Sequence, residues 1–195
     1  MGPITRLGDF QFPFGTMALT DGLTIVSETP SNRLRCCNIA GETLEIMGSR
    51  GNAPGKFDGP RGLCAIDEEF FAVADTGNAR VQILRVETGA GVRTVSGGQL
   101  VRPWDVAYWP DGRQLFVADL EQNSIKVFDI KGKVLDTFAT GMHGEQIFDK
   151  PCRIEYHAFS GNLHVADQAN TRLHAITPQG KHLGSRPLLM TAKPW

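Results

Sequence analysis

No stretch of this chain approaches the roughly 20 consecutive apolar residues that cross a bilayer as a helix, and the opening MGPITRLGDF lacks the apolar core of a signal peptide. Arg6 stands where N-myristoylation needs Ser or Thr. Net charge is also scarce: the formal charge is −1, so polyanions and anionic lipid are offered no global attraction. Cysteine is limited to Cys36, Cys37, Cys64 and Cys152, with no C-x-x-C pair and no histidine at finger spacing, which removes the usual frameworks for structural zinc or a disulfide scaffold. Unpaired thiols and the missing leader favour a cytoplasmic setting. Long amphipathic helical periodicity is missing throughout. At 195 residues the chain is nevertheless long enough to build a substantial core without covalent staples.

What the sequence has instead is a repeat. Residues 59–89 read as a proline-x-glycine opening, a short apolar run, an acidic turn and the strand-like 70–74. Asp75, the turn Thr76-Gly77-Asn78, Arg80 and a second alternating run follow, closed by Thr88-Gly89. Three other segments restate that order. Their opening prolines, Pro13, Pro60, Pro103 and Pro151, are 47, 43 and 48 residues apart. A period in the forties with four strand-like pieces per unit is the pattern of a β-propeller blade. The expected fold is all-β, a propeller of four four-stranded blades, with repeats at about 10–47, 57–96, 101–140 and 149–186, an extra outer strand within 1–9 and a tail at 187–195. Asp21-Gly22, Asp111-Gly112 and Gly161-Asn162 are the expected turns between first and second strands. Gly41, Gly89, Gly132 and Gly180 should turn third strands into fourth ones, near 43–47, 92–95, 134–138 and 182–185. Cys36 and Cys37 align with Ile83 and Leu84 and should be buried free thiols.

The linker from Gly48 to Gly62, with its Gly-x-Phe and Pro-x-Gly elements, and the Val-Ala-Asp followed by Gly-Asn-x-Arg over residues 73–80 resemble the NHL-repeat family of β-propellers. The resemblance covers residues 10 to 186 or so. Departures are Glu28 for Asp and Pro30 for Gly in the first repeat, Ser124 for Arg in the third, and Arg153 for the opening Gly in the fourth. Such propellers commonly close with more than four blades, so three arrangements stay open: a closed four-bladed ring, part of a longer propeller, or an arc that associates through its unclosed edges.

Two groups of residues are candidates for function. Glu28 with Arg33, Asp75 with Arg80, and Asp167 with Arg172 share a five-residue spacing across the turn from second to third strand, and Asp119 holds the acidic position in the third repeat. The carboxylates suit backbone N–H groups of that turn and the guanidiniums neighbouring carbonyls, so these residues read as structural staples. Residues just after each opening proline, Phe14, Arg61, Trp104, Asp105 and Arg153, should converge at the mouth of the central axis. That mix of aromatic and arginine side chains suits a protein or peptide partner.

Propeller enzymes that resemble this family include lyases with a histidine-held zinc and lactonase-type enzymes with calcium. Here none of His143, His157, His164, His174 or His182 occupies a turn between second and third strands, and Asp105 alone offers too few oxygens for calcium. No cofactor or metal is therefore expected. RNA-reading relatives carry a strongly basic face; arginines crowd the first half of this chain, but acidic residues are interspersed. A non-enzymatic scaffold is the favoured reading, with a metal-dependent lyase or hydrolase, and then an RNA reader, as alternatives.

Overall fold

The computed structural model describes residues 10–19, 22–95, 98–141 and 144–188. The strand expected within residues 4–9, Asp21, His143 and the chain from 189 lie outside them.

The chain forms four four-stranded antiparallel sheets, each built from strands consecutive in sequence, arranged as the blades of a propeller. Blade one comprises β1 (Pro13–Ala18), β2 (Thr24–Glu28), β3 (Arg33–Cys37) and β4 (Thr43–Met47). Blade two comprises β5 (Pro60–Ala65), β6 (Phe70–Asp75), β7 (Arg80–Arg85) and β8 (Gly91–Val95). Blade three comprises β9 (Pro103–Trp109), β10 (Gln114–Asp119), β11 (Ser124–Asp129) and β12 (Val134–Phe138). Blade four comprises β13 (Pro151–His157), β14 (Asn162–Asp167), β15 (Arg172–Ile176) and β16 (His182–Pro187). Second strands run one residue further than the apolar pattern suggests, because the acidic residue itself pairs with the start of the third strand in every blade: Glu28 with Arg33, Asp75 with Arg80, Asp119 with Ser124 and Asp167 with Arg172. The tight turns between these strands put Asn32, Ala79, Asn123 and Thr171 in the left-handed region at φ 50–54°. The turns to the fourth strands use Gly41, Gly89, Gly132 and Gly180, all with positive φ. At Gly89 a Cβ would also come within 2.8 Å of Met47, so the residue is fixed by packing as well as by backbone.

Second and third strands of blades one to three are buried along most of their length, whereas in blade four they alternate or are partly exposed. Fourth strands are the outer ones, with Leu44, Ile46, Val92 and Leu135 exposed. Three apolar clusters hold the blades together. Ile25, Leu34 and Met47 meet Leu63, Phe71 and Leu84 between blades one and two. Ala72, Val81 and Ile83 meet Val106, Val117 and Phe128 between two and three. Phe116, Ile125 and Val127 meet Ile154, Leu163 and Ile176 between three and four. Among the described residues no such cluster joins blade four to blade one. Cys36 and Cys37 are buried free thiols within blade one. Among the described residues no helix is long and apolar enough to cross a membrane.

Three residues before an opening proline, Phe57 and Phe148 are fully buried and Leu100 nearly so, each wedging a linker into an inter-blade core. Phe57→Ala is expected to cost about 3–5 kcal/mol in urea unfolding, whereas a loss below about 1 kcal/mol would show that the linker does not hold blades one and two.

Candidate functional site

The site is positioned by one recurring hydrogen bond. The acidic residue ending each second strand is fully buried and accepts from backbone N–H groups just ahead of its own blade's opening proline. Gln11 N–H donates to Glu28 (2.7 Å), Asp58 to Asp75 (2.7 Å), Val101 and Arg102 to Asp119 (2.8 and 3.0 Å), and Asp149 to Asp167 (2.9 Å). Each bond ties the start of an inner strand to the end of the next strand. The expected bond from the connecting turn is found at Asp119, where Gln122 N–H donates at 3.4 Å.

Side-chain partners follow three spacings rather than one, the first being three residues, with Asn78 donating to Asp75 (2.9 Å) and Asn170 to Asp167 (2.8 Å). Arg33 and Arg80 do pair with Glu28 and Asp75, and Arg80 also donates to the Asn52, Ala53 and Lys56 carbonyls. Residues seven positions after the acid join them: Arg35 on Glu28 (2.8 Å), Gln82 on Asp75 (3.0 Å) and His174 on Asp167 (3.2 Å). Arg172 is not a staple for Asp167: it is exposed and donates to Ser185 Oγ at 2.9 Å, because its side chain leaves the buried face that His174 occupies. Burial penalises Glu28's charge most strongly, yet bonds from Gln11, Arg33 and Arg35 outweigh it and hold the carboxyl below its usual range. His174 is pushed down, chiefly by burial, against the pull of Asp167.

Beyond each opening proline the inner strand bulges. Register slips between Pro13 and Thr16, between Pro60 and Leu63, between Pro103 and Asp105, and between Pro151 and Arg153. A bulge re-aims side chains, and here it sends Phe14, Arg61 and Trp104 to the axial mouth. The residue after the bulge has little room in the first two blades. A Cβ on Gly15 would lie 2.5 Å from the Arg61 carbonyl, and one on Gly62 would lie 1.7 Å from Asp105 Oδ1. In blade three Asp105 takes that slot and fills the axis itself. Its carboxylate accepts from Val106 N–H (2.9 Å) and from Ile154 N–H of the next inner strand (3.0 Å).

The five residues expected at the mouth are together. Arg61 lies 3.5 Å above the Trp104 ring and 4.8 Å from that of Phe14; the two rings meet edge-on at 6.0 Å. Arg153 stacks on Phe14 at 4.3 Å, donates to the Phe14 carbonyl at 2.8 Å and sits 4.0 Å from Asp105 Oδ2. It thereby links blade four to blade one across the axis. Sequence reasoning missed Arg102, which lies 5.2 Å from the Trp104 ring and pairs with Glu121 at 2.7 Å; its place next to the opening proline was the available signal. Below the mouth a cavity of about 670 Å³ runs from Phe14, Cys64 and Asp105 to Glu155, His164 and Leu173, toward the gap between blades four and one. Burial pushes the Cys64 thiol far above its usual range.

The NHL repeat family pattern matches residues 57–84, the stretch that carries the Asp75 staple and the Arg61 bulge. The chain carries an NHL repeat and folds as a β-propeller. No curated protein matches the sequence significantly. Solved structures similar to this NHL-repeat propeller include Kuenenia stuttgartiensis hydrazine synthase (15% identity, TM-score 0.69, covering 95% of this chain and 52% of that one). A catalytically inactive virginiamycin B lyase from Staphylococcus aureus with quinupristin is similar too (13%, 0.70, 92% and 57%). So is the nidogen/laminin complex (14%, 0.72, 92% and 65%). At such identities the likeness is one of fold, and the chain spans 52–65% of the length of these structures.

Burial, opposed by the Ile154 N–H and Arg153, raises the Asp105 pKa to about 6. A folded-state pKa above the unfolded value of about 3.9 means that Asp105 favours folding at low pH. That contribution, on the order of 3 kcal/mol, is lost as pH rises through about 6. A carboxyl-detected NMR titration should give a midpoint near 6 for Asp105, and Asp105→Asn should flatten this part of the stability profile; a midpoint near 4 would contradict the assignment.

Proposed function

We propose that the protein is a binding platform that captures a protein or peptide partner at the axial mouth, without chemistry of its own. The observation that carries this reading is the contact of Arg61 with both Trp104 and Phe14, flanked by Arg153. Aromatic and arginine side chains, pre-ordered by one another and partly open to solvent, are the residue types that anchor interfaces. Their rotamers are set before a partner arrives, which lowers the entropy cost of binding. The nidogen/laminin likeness is compatible with such a use of the fold. The three arginines at the mouth form a compact patch and the net charge is −1, so an extended phosphate-tracking surface finds no support there.

Panning a random displayed-peptide library against the wild type, then testing the selected peptides on Arg61→Ala, Trp104→Ala and Arg153→Ala, examines this reading. Each substitution is expected to weaken binding by about 30-fold, the effect of losing an anchor, with the melting curves of Arg61→Ala and Trp104→Ala retained. Unchanged binding across all three would place the partner elsewhere.

A further inference from the structure

The mouth carries more positive charge than its internal partners use. Three guanidinium groups, Arg61, Arg102 and Arg153, converge on two rings. Arg102 is matched by Glu121, and Arg153 has Asp105 at the limit of an ion pair together with the Phe14 carbonyl. Asp105 is itself engaged by two backbone N–H groups. Arg61 has no ion pair or side-chain hydrogen bond among the described residues, and its Nε is buried without an acceptor. Burial, then the charges of Arg102 and Arg153, destabilise its protonated form. Ring faces supply a guanidinium with cation–π contact but leave its N–H edge unsatisfied. A flat cation packed against Trp104, with Phe14 set at about a right angle to that ring and no ion pair of its own among the described residues, is available for charge-assisted bonds to a carboxylate through its terminal nitrogens.

Resting on the reading of the mouth as a peptide-binding face, we propose that its ligand is an acidic peptide segment, one of whose carboxylates docks on Arg61 beside Arg153. The anion belongs at the rim, because Asp105 and Glu155 make the cavity below unfavourable for it. Phe14 and Trp104 cover the apolar parts of the same segment. The patch is too small, and the chain's net charge too near zero, for a nucleic acid backbone.

The test titrates ¹⁵N-labelled protein with N-acetylated, C-amidated tetraglutamate and tetraglutamine peptides, reading the Trp104 indole N–H signal, which Trp104→Phe identifies. Tetraglutamate is expected to shift that signal saturably and tetraglutamine to leave it in place. Arg61→Gln should weaken the tetraglutamate response at least about tenfold with an unchanged melting curve, and Arg153→Gln should weaken it as an independent variant. Equal response to both peptides overturns the acidic preference while leaving the platform reading intact. No response to tetraglutamate also overturns it, the library selection then deciding the platform reading separately. If inorganic phosphate shifts the signal at the same concentration, the mouth binds small anions only and the proposal fails.

Discussion

A buried carboxylate that reaches back to the backbone ahead of its own blade is the interaction on which the rest depends. Glu28, Asp75, Asp119 and Asp167 are each sealed from solvent, where an unpaired charge would be severely costly. Donors from the preceding linker, at Gln11, Asp58, Val101 with Arg102, and Asp149, make the burial tolerable. Charge-assisted bonds of this kind are among the stronger ones in a protein. Because the linker also carries the buried Phe57, Leu100 or Phe148, the same few residues fix where one blade ends and where the next inner strand starts.

The axial mouth follows from that anchoring. Held at its proline and paired from Leu63, Asp105 or Arg153 onward, each inner strand has one or two residues too many and expels them as a bulge. Arg61 and Trp104 are such residues. Glycine at 15 and 62 lets neighbouring inner strands approach, while Asp105 and Arg153 in the equivalent slots supply links instead, to Ile154 and to Phe14. The two slots where glycine is replaced, at Asp105 and Arg153, therefore coincide with the chemistry of the mouth, as expected where function displaces local regularity. Around the axis the four blades are joined, whereas the apolar cores join them only three times among the described residues.

The blades were legible because a strand's period and its turn residues are local signals, and four copies reinforce one another. The convergence of Phe14, Arg61, Trp104, Asp105 and Arg153 was legible from the propeller geometry alone. Bulges were not, since register depends on the partner strand rather than on a strand's own residues. His174 was read only as a strand residue, and Arg172 as a staple, because a five-residue spacing fits the exposed edge of the turn as well as its buried side. Burial decides between them, and burial depends on blade packing. Arg102 was passed over because it precedes its opening proline, whereas the residues expected at the mouth were those that follow one.

Asp119 offers the most direct test of the carboxylate anchor, because it accepts from the backbone N–H groups of Val101, Arg102 and Gln122 and pairs with no cation among the described residues. Asp119→Asn replaces one acceptor oxygen with a donor facing another donor. Urea unfolding, followed together with the Trp104 indole NMR signal, should show a loss of about 2–4 kcal/mol and a displaced Trp104 resonance. Full stability with an unmoved Trp104 signal would contradict the claim that these buried carboxylates set the inner strands and the mouth they form.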